Sequence, residues 1–253
     1  MTTDTLVVIP ARYGSSRLPG KALLEISGRP MVQWVYDAAR RVAIVDRVVV
    51  ATDDERIVAA VERFGGKAVM TDPNHPSGTD RVAEAARLVG AGIVVNLQGD
   101  EPLIDPRVVG AAIDPLIKDS LLDMASLCTR IRDARDWRDP NVVKVVCAEN
   151  GDALYFSRAP IPYPREDTDP GALPLFKHLG LYVYRYEFLQ HLTSLPPSPL
   201  EQVERLEQLR VLEAGFRIRM VETAEDSIGV DTQSDLDRVR ALVVGSSNSK
   251  PQS

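Results

Sequence analysis

Short runs of β-branched residues alternate with helical patterns through the first part of the chain, and this alternation restricts the fold more than any other feature. The runs typical of strands are residues 5–10, 47–52, 67–70 and 93–97. The apolar spacing of helices occupies the segments between them, residues 30–42, 54–64 and 79–89. Strands separated by such helices pair in parallel through right-handed crossovers, so a layered α/β domain is predicted. In such sheets, ligands bind at the carboxyl ends of the strands.

The second half of the sequence changes to a series of strands with few helices between them. Strand-like runs cover residues 124–131, 142–147, 153–156 and 179–185. We interpret residues 124–185 as a β-rich lobe inserted into a single domain that spans residues 1–244. The elements predicted to follow are a long helix over residues 200–214, a strand over residues 217–221, a last helix from about Gln233 and a disordered tail, residues 245–253.

Charge and cysteine content narrow the class of protein. The 253 residues are 44% hydrophobic and carry a formal net charge of −6, which suits a packed core and gives no overall positive field for nucleic acid. Cys128 and Cys147 lie in apolar runs without a second pair, so we expect buried free thiols rather than a zinc site or a disulfide framework. No basic leader and no apolar stretch of membrane-spanning length is present, so we expect a cytoplasmic protein without membrane insertion.

A basic, glycine-rich segment directly after the first predicted strand is the most informative local motif. The segment IPARYGSSRLPGK places Arg12, Arg17 and Lys21 among glycines and serines. Glycines let backbone N–H groups approach phosphate oxygens, Ser15 and Ser16 add hydroxyl donors, and the cations offset negative charge on a leaving group. The spacing is not that of a Walker A loop, and GxGxxG is absent, so another type of polyphosphate site is predicted. A basic surface loop without a ligand is the alternative interpretation.

Two acidic residues that are far apart in the sequence are candidates for a metal site. Asp100 ends the buried run VVNLQGDEP, where Gly99 lets the backbone approach a ligand, and ordinary turn chemistry is its alternative role. Asp231 lies in GVDT at a second strand-to-helix junction, where an acid can also simply stabilise the helix start. Magnesium is usually held by one or two protein carboxylates, with substrate phosphates and water completing the octahedron. We therefore predict that Asp100 and Asp231 hold Mg²⁺, with Glu101 and Asp53 as weaker candidates.

Ordered motifs along the chain make the sequence similar to a known family. The motifs are IPARYGSSRLPGK, VATDDERI, SGTDRVAE, VNLQGDEP, NVVKVV, ALYFSRAPIP, KHLGLYVYR, SPLEQVERLEQLRVLE and GVDTQSDLDRVR. These motifs have the order and spacing found in the 3-deoxy-D-manno-octulosonate (KDO) cytidylyltransferases, and nearly all of residues 5–244 resembles that family. The resemblance implies a Rossmann-like nucleotidyltransferase fold, of the nucleotide-diphospho-sugar transferase type, with a mainly parallel central sheet and a β-rich inserted lobe. It also implies transfer of CMP from CTP to the anomeric hydroxyl of KDO, with release of pyrophosphate.

The resemblance further implies which residues carry the activity. Catalytic roles fall to Arg12, Lys21, Asp100 and Asp231, of which the two aspartates are also the metal ligands. The residues implied to contact CTP are Ala11, Arg12, Gly14, Ser15, Ser16, Lys21, Ser77, Gly78, Arg81 and Gln98. The residues implied to contact the acidic sugar are Arg17, Gln98, Arg158, His178, Tyr182, Glu207 and Gln208. On the residues alone, Ser77 is equally consistent with a helix N-cap, His178 with a structural histidine and Glu207 with a solvated helix residue.

The resemblance also implies a partner and a pathway. Members of this family are usually homodimers, and residues 124–185 are the expected interface. Residues 163–174, rich in Pro, Asp and Gly, are expected to form an exposed loop that could close over a substrate. If the sugar is KDO, the enzyme acts before the assembly of lipopolysaccharide or capsule.

Other functions remain open from the sequence. One is a cytidylyltransferase for a different acidic sugar, such as amino-KDO or sialic acid, or a related enzyme that uses a sugar 1-phosphate. Another is a catalytically silent nucleotide-binding protein on the same fold, because fold alone does not determine function.

Overall fold

Eleven strands, labelled in chain order, form in the part of the chain that the computed structural model describes, residues 4–14, 18–165, 174–226 and 228–248. They are β1 (Thr5–Ala11), β2 (Glu25–Ile26), β3 (Arg29–Pro30), β4 (Arg47–Thr52), β5 (Ala68–Met70), β6 (Ile93–Asn96), β7 (Met124–Arg130), β8 (Lys144–Cys147), β9 (Ala153–Ser157), β10 (Phe176–Arg185) and β11 (Ile218–Glu222).

Nine α-helices accompany these strands in the same described segments. They are α1 (Met31–Arg40), α2 (Glu55–Arg63), α3 (Gly78–Val89), α4 (Pro106–Lys118), α5 (Ala134–Arg138), α6 (Tyr186–Ser194), α7 (Pro199–Glu204), α8 (Gln208–Glu213) and α9 (Gln233–Asn248). None of these helices combines the length and the apolar character that a bilayer span requires.

The chain divides into two compact units, one made of residues 1–110 and 227–253 and the other of residues 111–226. Helix α4 begins in the first unit and ends in the second. The second unit contains the segment that we interpret from the sequence as a β-rich lobe, residues 124–185, and extends beyond it at both ends.

The first unit is built on a parallel sheet with the strand order β6-β1-β4-β5. Its centre is β1, where Val7 pairs with Val48 of β4 on one side and with Val95 of β6 on the other. Four consecutive residues of β1, from Leu6 to Ile9, have no solvent exposure. A continuous apolar run of this kind is typical of a parallel strand that is covered on both faces. The α/β architecture predicted from the alternating pattern is therefore confirmed.

The helices of the first unit begin close to the residues that the sequence indicates. Asp54 caps α2 by accepting a hydrogen bond from the backbone N–H of Arg56, and Ser77 caps α3 in the same way for Asp80. Helix α9 joins this unit through an apolar cluster whose members are Ile26, Met31, Val230, Leu236, Val239 and Val243. The end of the chain therefore returns to the core that its beginning forms.

The second unit contains a mixed sheet in which β10 pairs antiparallel with β7 and with β8. Strand β11 pairs in parallel with β7, and β9 pairs antiparallel with β8. An isolated bridge between Asp152 and Arg219 links the start of β9 to β11. Cys128 and Cys147 are both free thiols as expected, although only Cys128 is fully buried.

The long helix predicted over residues 200–214 is wrong. The structure has two short helices there, α7 and α8, and the break lies at Arg205, whose φ of 56° is left-handed. A left-handed residue ends an α-helix because it turns the chain away from the helical path. Glycine or asparagine normally occupies such a position. Because the residue here is an arginine, the sequence did not indicate that the helix ends.

Several further helices were not anticipated. Helices α5 and α6 lie among the strands of the second half, where we expected few helices, and α4 contains Gly110 and Pro115, residues that obscure a helical pattern. Helix α9 extends to Asn248, so four residues of the segment expected to be a disordered tail are helical. Residues 249–253 lie outside the described segments, as do residues 166–173 of the predicted loop.

Candidate active site

Lys21 and the two predicted metal-binding aspartates meet in the first unit. The Nζ atom of Lys21 lies 2.6 Å from Oδ2 of Asp100 and 3.1 Å from Oδ1 of Asp231. The Lys21 side chain is 18% exposed, against 28% for Asp100 and 46% for Asp231. Two acids and one cation from three distant parts of the sequence thus form a cluster that remains accessible to solvent.

Backbone contacts at the ends of β1 and β6 hold Asp100 in this cluster. Its carbonyl oxygen accepts a hydrogen bond of 2.9 Å from the N–H of Val230, which connects the two acidic segments directly. A Cβ atom on Gly99 would lie 3.1 Å from the carbonyl oxygen of Pro10. Gly99 is therefore required for the close approach of two backbone segments, whereas we expected it to admit a ligand.

Asp231 lies just before helix α9, where an acid often serves as the helix cap. Here the carboxylate of Asp235 accepts hydrogen bonds from the backbone N–H groups of Asp231 and Thr232, at 3.1 and 2.8 Å. Because Asp235 stabilises the helix start, Oδ1 of Asp231 is directed to Lys21 instead. The geometry therefore favours a site role for Asp231 over the helix-start role.

The two carboxylates change the pKa of Lys21. Burial lowers the pKa of its ammonium group, but the charges and hydrogen bonds of Asp100 and Asp231 outweigh this effect and raise the pKa above its usual value. Lys21 is therefore cationic at neutral pH, which is the state that binds phosphate oxygens.

Contacts of Tyr13 hold together the two ends of the basic loop, which is the segment IPARYGSSRLPGK after the first strand. The backbone N–H of Gly20 donates to the carbonyl of Tyr13 at 2.9 Å, and Gly20 has a φ of +66°. The Arg56 guanidinium lies 3.3 Å from the centroid of the Tyr13 ring and is itself paired with Asp54. These contacts fix the two ends of the loop. Ser15, Ser16 and Arg17 lie outside the described residues.

Arg12 links the basic loop to the segment that precedes α3. Its guanidinium donates to the carbonyl of His75 at 3.0 Å, and the imidazole of His75 lies 2.6 Å from the Glu84 carboxylate. Ser77 and Gly78 follow His75 after one residue, Pro76. Ser77 also donates its hydroxyl to Asp80 at 2.6 Å. The structure thus brings Arg12 close to Ser77 and Gly78, two of the residues implied to contact CTP, and Ser77 is the helix cap of α3.

The remaining residues implied to contact CTP differ in their surroundings. Arg81 has no exposure and pairs with Asp53 at 2.7 Å, so Asp53 balances a buried cation. Gln98 donates to the side-chain oxygen of buried Asn96 at 3.2 Å. Ala11 is buried at the end of β1, and Gly14 is exposed.

A polar cluster around His178 lies in the second unit. The Nε2 atom of His178 is 2.9 Å from the hydroxyl oxygen of Ser126, and the ring contacts Phe156 and Tyr182 at centroid distances of 5.1 and 5.3 Å. Burial lowers the pKa of His178 to about 3, so its imidazole is neutral at pH 7. The Tyr182 hydroxyl donates to Gln208 at 3.3 Å, and burial raises its pKa.

Arg158 belongs to the same unit and is held by backbone carbonyls. Its guanidinium donates to the carbonyls of Glu204, Pro140 and Arg205 at 2.7, 2.9 and 3.4 Å. Guanidinium has five N–H donors, so these bonds leave capacity for an anionic ligand. The break between α7 and α8 exposes the Glu204 and Arg205 carbonyls, so the unpredicted left-handed residue has a direct role in placing Arg158. Glu207 and Gln208 begin the helix that follows.

Lys144 is a residue of this region that the sequence analysis missed. It is fully buried, and its ammonium group donates to the carbonyls of Asp139, Val142 and Arg158 at 2.8, 2.5 and 2.6 Å. Burial lowers its pKa. A lysine flanked by valines in NVVKVV is the signal that could have indicated a buried amine. No comparable sequence signal indicated that Ser126 contacts His178 or that the carbonyl of Glu204 binds Arg158.

Asp100 and Asp231 fit a magnesium site. Two carboxylates that share one ammonium group are close enough to share one divalent cation, and substrate phosphates complete such sites. Among the described residues, no group of three or more His, Cys, Asp or Glu side chains is arranged to hold a metal. A site of two acids that relies on the substrate for further ligands is therefore the arrangement that these residues support.

Comparison with known proteins assigns the family. The model of the cytidylyltransferase family matches residues 6–221. The 3-deoxy-manno-octulosonate cytidylyltransferase of Geobacter metallireducens is 54% identical over 92% of this chain and 94% of its own length, and that of Syntrophotalea carbinolica is 53% identical over 94% and 98%. The chain therefore belongs to the cytidylyltransferase family, within the group of 3-deoxy-manno-octulosonate cytidylyltransferases.

Solved structures agree with this assignment and confirm the predicted fold. The structure of a CMP:2-keto-3-deoxy-manno-octonic acid synthetase complexed with CTP superposes with a TM-score of 0.92 at 50% identity, covering 96% of this chain and 100% of the other. A 4-diphosphocytidyl-2C-methyl-D-erythritol synthase from Anaerococcus prevotii has a TM-score of 0.64 at 13% identity, with coverage of 96% and 100%. This second likeness shows the shared fold alone.

Proposed function

We propose that the protein transfers CMP from CTP to the anomeric hydroxyl of KDO, giving CMP-KDO and pyrophosphate. The observation that carries the proposal is the cluster of Lys21, Asp100 and Asp231 at the carboxyl end of the parallel sheet. It is supported by the likeness to a synthetase of the same group that binds CTP. A cation beside two acids suits a triphosphate that arrives with magnesium.

In this mechanism the protein mainly positions the reactants and balances their charge. The oxygen of the anomeric hydroxyl attacks the α-phosphorus in line and loses its proton to water, while the bond from phosphorus to the bridging oxygen breaks and pyrophosphate leaves. Asp100 and Asp231 would hold Mg²⁺, which would supply positive charge that polarises the phosphoryl group. Lys21 and Arg12 bind phosphate oxygens and offset the charge on the leaving pyrophosphate, together with the N–H groups of the basic loop.

The residues of the second unit are proposed to bind the acidic sugar. Arg158 has guanidinium donors beyond those used by its carbonyl partners and suits the sugar carboxylate. Neutral His178, Tyr182 and the pair formed by Glu207 and Gln208 suit the ring hydroxyls. The family resemblance adds Gln98 and Arg17, both residues of the first unit, as proposed contacts of the sugar.

A substrate panel tests the proposal. CTP and UTP would each be combined with KDO, amino-KDO, sialic acid and a sugar 1-phosphate, and pyrophosphate release would be measured. We expect turnover only with CTP and KDO. Turnover with a different acidic sugar would assign another cytidylyltransferase activity, and CTP binding in calorimetry without turnover of any sugar would indicate a silent nucleotide-binding protein.

We also propose a cytoplasmic homodimer whose interface includes residues 124–185, acting before lipopolysaccharide or capsule assembly. Leu154 of β9 is 60% exposed in this segment, so a charge introduced there would lie on the surface proposed as the interface. Sedimentation of the wild type and of Leu154→Glu would test the interface. We expect the wild type to sediment as a dimer and the variant to shift toward monomer. Two dimers would place the interface away from Leu154, and a monomeric wild type would reject the proposed homodimer.

A further inference from the structure

A β-bulge in the second unit determines the hydrogen bonding of Ser126. The pairing of β10 with β7 shifts register between Leu179 and Tyr182. Ser126, which has no solvent exposure, donates its hydroxyl to the carbonyl of Leu181 at 2.8 Å, and the carbonyl of Leu179 lies 3.4 Å away. A bulge interrupts the regular ladder, so a side-chain donor satisfies a carbonyl there.

The same hydroxyl lies 2.9 Å from Nε2 of His178. A serine hydroxyl has one hydrogen and two lone pairs. Because its hydrogen is donated to Leu181, the Ser126 oxygen must accept from His178. Nε2 therefore carries a proton. In a neutral imidazole the other nitrogen, Nδ1, then has a free lone pair and is a hydrogen-bond acceptor.

The surroundings of His178 favour this neutral form. Its ring packs on Phe156 and Tyr182, and burial keeps its pKa well below neutrality. Among the residues that the structure describes, none donates a hydrogen bond to Nδ1. The lone pair is thus available to a ligand.

We propose that Ser126 is a positioning residue that fixes His178 as the Nε2–H tautomer, so that Nδ1 accepts a hydrogen bond from a hydroxyl of the acidic sugar. The identity of this ligand rests on the proposed function. The assignment gives His178 a defined role, that of an acceptor for a hydroxyl donor. A histidine in this state does not donate to the sugar carboxylate through Nδ1.

The first test measures the tautomer in the wild-type protein. Two-bond ¹⁵N–¹H correlation spectra separate a protonated ring nitrogen from an unprotonated one, and the chain has only three histidines. The spectrum of His178→Gln identifies the His178 signals by their loss. We expect a protonated Nε2 and an unprotonated Nδ1 at pH 7. An Nδ1–H tautomer or a doubly protonated ring in the wild type would overturn the proposal.

The second test uses Ser126→Ala, with Thr129→Val as the matched control. Thr129 is a buried hydroxyl residue three positions further along β7 and is not part of the proposed site. In Ser126→Ala we expect the two ring-nitrogen shifts of His178 to move toward each other. We also expect KM for the sugar to rise about tenfold, the value of one lost hydrogen bond, with KM for CTP unchanged. Thr129→Val should retain wild-type shifts and constants.

The outcomes separate this proposal from the proposed function. If the wild type turns over none of the sugars in the panel, the proposed function and the role of His178 in sugar binding are rejected. The spectrum would still determine the tautomer of His178. Unchanged KM for the sugar in a folded Ser126→Ala protein would overturn the positioning role. If Ser126→Ala does not fold, Ser126→Cys provides the kinetic comparison, because a thiol is a weaker donor and acceptor of similar size.

Discussion

The Nζ atom of Lys21 lies 3.1 Å from Oδ1 of Asp231, a residue 210 positions further along the chain. The same ammonium group lies 2.6 Å from Asp100. Three segments therefore contribute to one charged cluster: the loop after β1, the end of β6 and the start of α9. This cluster is the part of the structure on which the proposed catalysis depends.

Replacement of Lys21 tests its role in charge compensation. We expect Lys21→Ala to lower kcat roughly 100-fold or more, because a preorganised cation near the leaving group stabilises developing negative charge. Steady-state pyrophosphate release would be measured. Lys118→Ala is the control, since Lys118 is 74% exposed and pairs with Asp114 on the surface of α4. A Lys21→Ala rate close to that of Lys118→Ala would assign Lys21 a structural role.

Replacement of either aspartate tests metal binding. Asp100→Asn and Asp231→Asn should each lower turnover by orders of magnitude and increase the magnesium concentration needed for half-maximal rate, because a ligand charge is lost. Circular dichroism would check that folding is retained. Asp114→Asn, which removes a half-exposed surface carboxylate, should behave as wild type. Near-normal rates and magnesium dependence in both site variants would reject the metal role.

Gly20 and Gly28 form a matched pair that tests the loop base. Both have positive φ, +66° and +76°, but a Cβ on Gly20 would lie 3.1 Å from the Tyr13 ring while one on Gly28 meets nothing within 4 Å. Gly28→Ala should cost about 1–2 kcal/mol of unfolding free energy from backbone strain alone, with activity retained. Gly20→Ala should cost more unfolding free energy and also lower kcat, since it displaces the backbone that directly precedes Lys21. Equal effects on stability and rate would show that the Tyr13 contact has no role.

The neutral state of His178 predicts how stability depends on pH. The folded pKa is about 3 and the unfolded value 6.5, so between them only the unfolded chain binds the proton. The stabilisation is fully present above the unfolded pKa and declines as pH falls toward the folded pKa, by at most about 1.4 kcal/mol per pH unit.

Urea unfolding of wild type and His178→Gln at about pH 7.5 and about pH 5.5, where most carboxylates remain ionised, measures this contribution. The wild type should lose more stability than the variant over this interval. Equal losses would show that His178 does not titrate as a buried neutral group.

The parallel half of the fold was predictable because its determinants are local. Strand β4 has the predicted bounds, and α2 and α3 begin at their capping residues Asp54 and Ser77. The stop at Arg205 was not predictable, because it depends on a left-handed arginine rather than a glycine. Lys144 within a strand was missed for a different reason: its valine neighbours are a signal of burial, but the carbonyl partners that make a buried amine acceptable come from separate segments.

The candidate site was predictable from the residues only in part. The composition of the basic loop and the position of Asp100 after a buried strand indicated a phosphate site at the sheet edge. Asp231 taken alone favoured a helix-start role, and it became a metal-ligand candidate only as a second carboxylate to accompany Asp100. The Ser126–His178 contact could not be predicted, because it requires a β-bulge that no local sequence signal marks.

A crystal structure of the protein with CTP and Mn²⁺ in place of Mg²⁺ tests the central claim most directly, because manganese can be located by its anomalous signal. We expect a manganese peak coordinated by both Asp100 and Asp231, with the triphosphate bound by Lys21 and the basic loop. A nucleotide bound elsewhere, with neither aspartate coordinating the metal, would contradict the proposed site.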